Sequence, residues 1–218
     1  MREKTVRVAG LGEVHYDRLV NTLPLSSFLD MIGALPAPVR DARRRLRWTT
    51  VWNLNLGVAR RAVTDKHWIY FPEKKFPFYR VGSSSNFSSS VAPAGHSALY
   101  VEVARPQGAR VDKARLEEDI LGGLRECGLL RRTDELSARI WMPIEVGYVV
   151  YDFARTPSVK TIFRHLDGLC VESIGRYGAW KYSFMEETLL DGKRCAERLA
   201  GVASSSVAVE DGELRVLK

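Results

Sequence analysis

The residues best suited to chemistry run from Gly175 to Glu186, Gly-Arg-Tyr-Gly-Ala-Trp-Lys-Tyr-Ser-Phe-Met-Glu. Gly175 and Gly178 flank Arg176-Tyr177, and a residue without a Cβ neither clashes nor confines φ to negative values, so the backbone can approach a bulky planar ligand there. The aromatics Tyr177, Trp180, Tyr182 and Phe184 can lie along such a ligand. Ser183 and Glu186 have the S-x-x-E spacing of a capping box, which predicts a helix from about Ser183 with its positive end aimed at whatever occupies the glycine turn. An anion is the expected occupant.

A second candidate group lies at Pro77-Phe78-Tyr79-Arg80-Val81-Gly82. A phenol and a guanidinium on successive strand positions point to opposite faces, so Tyr79 and Arg80 offer one donor, and not both, to a pocket. Asn86, in a serine-rich loop with Ser83 to Ser85 and Ser88 to Ser90 that reads as mobile, is the third substrate-side candidate. No catalytic residue can be named. His67, His96 and His165 have no carboxylate at triad or metal spacing, and neither a Ser-His-Asp nor a Cys-His arrangement can be assembled. Cys127, Cys170 and Cys195 are odd in number and far apart, so they read as buried or half-buried thiols, with no disulfide framework and no metal site.

The elements that must carry these residues follow from pattern. The 218 residues suffice for one large domain or two small ones. Thr5–Ala9 and Glu13–Tyr16 read as a hairpin through Gly10-Leu11-Gly12, which is not a dinucleotide-binding turn, because a charged strand follows where a helix is required. A short strand at Arg18–Asn21 and a helix at Leu25–Ile32 come next. Trp52, Leu54, Leu56 and Val58 alternate with Asn53, Asn55 and Gly57, the mark of a strand with two unlike faces. Further strands are expected at Trp68–Phe71, Phe78–Gly82, Ala98–Val103 and Arg139–Val150, giving a mostly antiparallel sheet interrupted by a helix at Val111–Cys127. A helix at Thr156–Leu166 and a strand at Leu169–Ile174 lead into the glycine motif. The last helix, Met185 to about Ala200, carries Met185, Leu189, Gly192, Ala196 and Leu199 along one stripe, which predicts that this stripe packs on a sheet.

The net charge of +7 favours anionic partners. Its densest source is Arg40, Arg43, Arg44, Arg45 and Arg47, a helical segment with Arg40, Arg44 and Arg47 on one face. No aromatic platform interleaves with them, so they read as a solvated face and nucleic acid is not the expected partner. No apolar run reaches the roughly 18 to 20 residues of a membrane span and the N-terminus has no signal-peptide pattern, which makes a cytoplasmic location the expectation.

Gly175-Arg176-Tyr177-Gly178-Ala179-Trp180-Lys181-Tyr182, then Met185-Glu186 and Asp191-Gly192, resemble the C-terminal flavin motif of the FAD-dependent amine oxidase, protoporphyrinogen oxidase and UDP-galactopyranose mutase superfamily. Tyr16 to Leu25 is similar to the strand and bend that re-enter its FAD domain, and His67 to Phe87 to its substrate-domain hairpin; the likeness runs from Val14 to Leu199. It implies an α+β chain: an antiparallel substrate-domain sheet with flanking helices, plus the C-terminal portion of a Rossmann-like FAD domain. The implied segments are 1–35 (partial FAD domain), 36–155 (substrate domain), 156–203 (flavin-facing C-terminal segment) and a tail at 204–218.

The implied cofactor is FAD, held through Gly175, Arg176, Tyr177, Gly178, Trp180, Tyr182, Phe184, Met185 and Glu186, with Arg176 near the flavin or its pyrophosphate. The G-x-G-x-x-G turn of those families does not occur ahead of residue 175, so a truncated or split flavoenzyme is expected. Its apolar surfaces at Leu19-Val20 and the 185–199 stripe would need a partner chain or promote self-association. The implied activity is that of an FAD-dependent oxidoreductase acting on a small molecule. A mutase-like, non-redox flavoenzyme and a non-catalytic subunit are the alternatives.

Overall fold

The computed structural model describes residues 4–201 and the backbone of 209–210 and 213–214; most of the expected tail, 204–218, lies outside the described residues. At the amino end β1 (Thr5–Val8) and β2 (Gly12–His15) form the expected antiparallel hairpin, its turn passing through Gly10 and Gly12 at φ of 80° and 82°. β3 (Leu19–Asn21) precedes α1 (Leu25–Met31) and α2 (Ala37–Arg45), which start after Pro24 and Pro36, residues whose fixed φ suits a helix entrance. Then come β4 (Trp48–Val58), β5 (Trp68–Tyr70), β6 (Arg80–Ser83), two 3-10 turns (Ser84–Asn86 and Ser89–Val91), β7 (Ser97–Pro106), α3 (Lys113–Glu126) and β8 (Leu136–Val149). α4 (Arg155–Gly168), β9 (Val171–Ser173), α5 (Gly175–Gly178), α6 (Met185–Leu199) and the short pair β10 (Val209–Glu210) and β11 (Glu213–Leu214) complete the order.

The chain divides into two compact units, residues 48–148 and residues 1–47 with 149–218. The expected boundaries at 35/36 and 155/156 therefore move. Residues 36–47, with α2, and residues 149–155 belong to the discontinuous unit, because Val39 and Ala42 of α2 are buried within it as α2 packs against α4.

In the continuous unit a five-stranded sheet has the order β5-β6-β7-β4-β8, with the β5/β6, β6/β7 and β7/β4 pairs antiparallel. Alternation does here what the sequence predicts. Leu54, Leu56 and Val58 of β4, Val81 of β6 and Leu99, Val101 and Val103 of β7 share a buried cluster with Leu116, Ile120 and Leu124 of α3. α3 begins at Asp112, whose carboxylate accepts from the backbone N–H groups of Ala114 and Arg115 at 3.1 and 3.2 Å. Arg60 pins the loop after α3 with a fork to Asp134 (2.9 and 3.0 Å) and a bond to the Leu129 carbonyl, and this guanidinium holds the Asp134 carboxyl below the usual carboxylate range. The serine-rich segment is turned and tethered: Ser88 accepts from Ser90 N–H, and Ser85 Oγ accepts from Ala98 N–H.

In the discontinuous unit β3 and β9 pair in parallel, Leu19 with Val171, Val20 with Glu172 and Asn21 with Ser173. α2 ends at Arg45, so Arg47 lies beyond the helix and the expected basic face does not include it. Arg43 turns back to Asp30 (2.7 Å) and the Ser26 carbonyl. α6 departs most from expectation. Its apolar stripe points outward, with Met185 84%, Leu189 74% and Leu199 42% exposed, while Cys195 is its buried residue. The opposite, polar side is held instead by the half-buried Lys181–Asp191 pair (3.0 Å) and by Arg198 on Glu172 (2.6 Å). Periodicity identifies an apolar stripe but is silent on which side of the helix meets its own unit.

Among the described residues no helix is long and apolar enough to cross a membrane. Asp112→Ala removes the acceptor of two helix-end N–H groups, and denaturant unfolding is expected to show a loss of about 1 kcal/mol.

Candidate functional site

Two groups of chemistry-bearing residues emerge, one in each unit. In the discontinuous unit the glycine motif is built on the β3/β9 pair. Asn21 donates to Ser173 Oγ at 2.7 Å, Ser173 donates to the Gly178 carbonyl at 2.8 Å, and the Ile174 N–H donates to the Asn21 carbonyl at 2.9 Å. The two glycines have different tasks. Gly175 sits at φ 75° with open space where a Cβ would be, whereas a Cβ on Gly178 would lie 2.6 Å from the Asn21 carbonyl oxygen. Only Gly175 therefore leaves its backbone open; Gly178 is small because another backbone crosses it.

Residues 175–178 form a single helical turn, α5, closed by Ala179 N–H on the Gly175 carbonyl. Trp180 follows at φ 52°, an uncommon conformation for a bulky side chain, and is wholly buried, with Arg155 donating to its carbonyl oxygen. Its indole fills the junction and presents no face to a ligand, which corrects its assignment to a cofactor. Arg176 donates to the Ser183 carbonyl (3.0 Å) and stacks 5.0 Å from the Tyr182 ring. Tyr177 is half-buried on the same turn.

The capping box does not form. α6 starts at Met185 with Phe184 at its cap position and no side-chain cap, while Ser183 Oγ is buried without a hydrogen-bond partner among the described residues. The first main-chain bond at this end is Thr188 N–H to the Phe184 carbonyl, so the N–H groups of Met185, Glu186 and Glu187 precede the helical ladder. Around them Tyr182, Phe184 and Met185 are exposed, Tyr182 and Phe184 edge to face at 5.7 Å. The first turn also carries the Glu186 and Glu187 carboxylates. The residues present fit one end of a planar ring with an acceptor edge: N–H groups ahead of the helical ladder, exposed rings and an open glycine.

In the continuous unit the sheet face opposite α3 is polar and aromatic. Register places Tyr70, Arg80, Glu102 and Asn53 in one row, and Trp68, Gly82, Tyr100 and Asn55 in the next. Tyr100 lies flat across Gly82, its ring where a Cβ would stand. The expectation that Tyr79 and Arg80 diverge is corrected. Tyr79 precedes β6, and both side chains reach the carboxylate of Glu102, the phenol donating to Oε2 and the guanidinium to Oε1 at 2.6 Å. Glu102 is 7% exposed. Burial, then the bond to Glu102, pushes the Tyr79 phenol well above the usual tyrosine range. Arg80 also donates to Tyr70 Oη at 3.3 Å. Arg80 Nε, Asn53 Oδ1 and Asn55 Nδ2 are buried without a partner among the described residues, which suits this face to a polar ligand.

Asn86 is placed otherwise: its amide nitrogen donates to the carbonyls of Thr64 (3.0 Å) and Lys66 (2.8 Å), so it ties the serine turn to a neighbouring loop. Glu102 escaped the sequence reading, although a charge between Val101 and Val103, on the Tyr100 side of the alternation, marks it. Cys127 and Cys195 have thiols pushed up by burial, and no group of three metal-ligating side chains occurs among the described residues.

Glu102→Gln leaves the half-buried Arg80 without its counter-charge, and roughly 2 kcal/mol of unfolding free energy should be lost in urea titrations. For Tyr79 the sign follows from proton linkage. The unfolded phenol ionises near pH 10 while the folded one stays protonated, so stability falls as pH rises past about 10. Melting temperatures across pH 8 to 11 should show this decline, and it should flatten in Tyr79→Phe.

No protein-family model matches the chain. Among solved structures it is similar to a reduced UDP-galactopyranose mutase, at 27% identity over 92% of this chain and 44% of that one, with a TM-score of 0.83. A protoporphyrinogen oxidase-like protein of Exiguobacterium shares the fold at 13% identity, over 87% of this chain and 42% of that one, TM-score 0.66. So does an oxidoreductase of Methanosarcina mazei, at 12% identity over 85% and 44%, TM-score 0.54. The chain spans less than half the length of each of these proteins. In structure the chain is thus similar to UDP-galactopyranose mutase and shares the fold of protoporphyrinogen oxidase-like and oxidoreductase chains, consistent with the flavoprotein superfamily that its sequence resembles.

Proposed function

We propose that this chain supplies the substrate-facing sheet and the flavin-facing helix entrance of an FAD-dependent enzyme, the rest of the cofactor site coming from a further polypeptide segment. The observation that supports the reading is that the turn opened by Gly175, with free space where a Cβ would be, is tied through Arg176 to the Ser183 carbonyl just ahead of the α6 entrance, where Tyr182 and Phe184 are exposed. FAD would supply electron-transfer chemistry when bound. The chain's own residues orient it and stabilise charge: the positive end of α6 favours negative charge beside it by about 1 kcal/mol. Arg176, braced by Ser183 and Tyr182, adds a fixed cation on the same turn. On the sheet, Glu102 holds Tyr79 and Arg80 in place, and the row with Asn53 and Tyr70 presents donors and acceptors to substrate.

Two uses of the cofactor follow from these parts. Net oxidation of a small molecule is one; the other is a non-redox rearrangement of a nucleotide sugar, supported by the likeness to UDP-galactopyranose mutase. Under anaerobic conditions, bleaching of the flavin by substrate supports the first. Turnover of a nucleotide sugar after dithionite reduction, without net flavin oxidation, supports the second.

Quenching of FAD fluorescence tests the shared claim. Saturable quenching is expected, with Met185→Glu weakening the affinity about tenfold by placing a like charge at the anion-facing helix end. Fluorescence unchanged at millimolar FAD overturns the assignment of these residues to the flavin.

A further inference from the structure

Beyond the Tyr79, Arg80 and Glu102 trio, the continuous unit holds a cavity of about 470 Å³ whose polar lining residues are Arg61, Ser85, Asn86, Ser89, His96 and Ser97. No carboxylate lines it. Ser97 begins β7, and the five steps from it to Glu102 span roughly 17 Å of strand, so a small ligand in the cavity is out of reach of the trio. The walls are cross-linked. Ser97, 2% exposed, donates to the Arg60 carbonyl at 2.8 Å and accepts from Val63 N–H at 3.4 Å. Ser85 Oγ accepts from Ala98 N–H, and Asn86 uses its amide hydrogens on the Thr64 and Lys66 carbonyls. Segments 60–64, 84–89 and 93–98 are thus joined before any ligand arrives, which lowers the ordering cost of binding.

Charge at this cavity is unbalanced. Arg60 is turned inward and forked on Asp134, and the neighbouring Asp65 is paired with Lys66 at 2.9 Å. Arg61 is exposed, and among the described residues its guanidinium has no hydrogen-bond or ion-pair partner. The Ser89 hydroxyl has none either. His96 donates from Nδ1 to the Ala94 carbonyl at 3.1 Å, which leaves Nε2 for a ligand. Asn86, its amide hydrogens already used, keeps Oδ1 as an acceptor without a partner. An anion with no hydroxyl satisfies the cation but sets its own oxygens against that acceptor. We propose that the cavity binds a phosphoryl group accompanied by a hydroxyl, as in hydrogen phosphate or a small phosphorylated polyol. Arg61 and Ser89 donate to the phosphoryl oxygens, and Asn86 Oδ1 accepts from the hydroxyl; a guanidinium forks onto phosphate oxygens, and the unpaired acceptor selects against ligands that lack a donor. The site is independent of the flavin reading.

The test follows backbone amide resonances of the whole chain while inorganic phosphate, glycerol phosphate or sulfate is added at constant ionic strength near neutral pH. Saturable shifts confined to segments 60–64, 84–89 and 93–98 are expected with phosphate or glycerol phosphate, and sulfate should bind about tenfold more weakly or not at all. Tighter binding of glycerol phosphate identifies an organic phosphate as the occupant; tighter binding of inorganic phosphate identifies the free anion. Arg61→Ala and Ser89→Glu should each weaken binding about tenfold or more. Both positions are exposed, so both variants should keep the melting temperature of the unaltered chain. Arg44→Ala, which removes an exposed cation of α2, should change nothing. The proposal is overturned if none of the three anions gives saturable shifts, if sulfate binds as well as phosphate, if Arg61→Ala binds like the unaltered chain, or if Arg44→Ala weakens binding as much as Arg61→Ala.

Discussion

The glycine motif depends on one crossing of backbones. The Asn21 carbonyl of β3 passes so close to Gly178 that a Cβ there would lie 2.6 Å away, and the Asn21 and Ser173 side chains close a ring of hydrogen bonds around that contact. The bonded residues are 152 positions apart in the chain. Everything downstream inherits its place from this crossing: the turn at 175–178, the buried Trp180 that follows it, and the start of α6 at Met185. A hydrogen bond of this kind contributes only about 1 kcal/mol, but leaving its buried donors unpaired would cost more. Geometry, more than energy, is what it fixes.

Glu102 plays a comparable part in the other unit. A carboxylate in the middle of an apolar strand is costly to bury, and it is tolerated because Arg80 and Tyr79 satisfy both oxygens. Replacing the trio with apolar residues could leave the sheet equally stable, since buried ion pairs are weak evidence of stability. What the trio adds is direction: it holds a guanidinium and a phenol in fixed positions on a face whose other members, Asn53, Asn55 and Tyr100, are also polar or aromatic. Preorganisation of that kind is useful to a binding site and of little use to a core.

α6 shows where a pattern stops being informative. Its amphipathicity is plain in the sequence, and the helix forms within two residues of its expected start. Which face is covered was not legible, because the same stripe serves equally to pack on its own unit or to meet another polypeptide. Lys181 with Asp191 and Arg198 with Glu172 decide the matter by drawing the polar face inward. The capping box is likewise absent: Phe184 stands at the cap position, and the Ser183 hydroxyl is buried without a hydrogen-bond partner among the described residues.

Local signals were sufficient for the sheet. Alternation in β4 and β7 and helical spacing in α3 each specify a buried face without reference to the rest of the chain, since side-chain direction repeats every two residues in a strand and every 3.6 in a helix. The glycine motif, too, was visible as a candidate site. The sequence by itself determined that these elements exist and that residues 175–186 are the candidates for chemistry. Only tertiary structure decided that Gly178 serves backbone packing, that Trp180 is core, that Tyr79 and Arg80 converge on Glu102, and that α6 turns its stripe outward. Each of those depends on a partner far away in the chain, and spacing along a sequence carries no information about which distant residue arrives opposite.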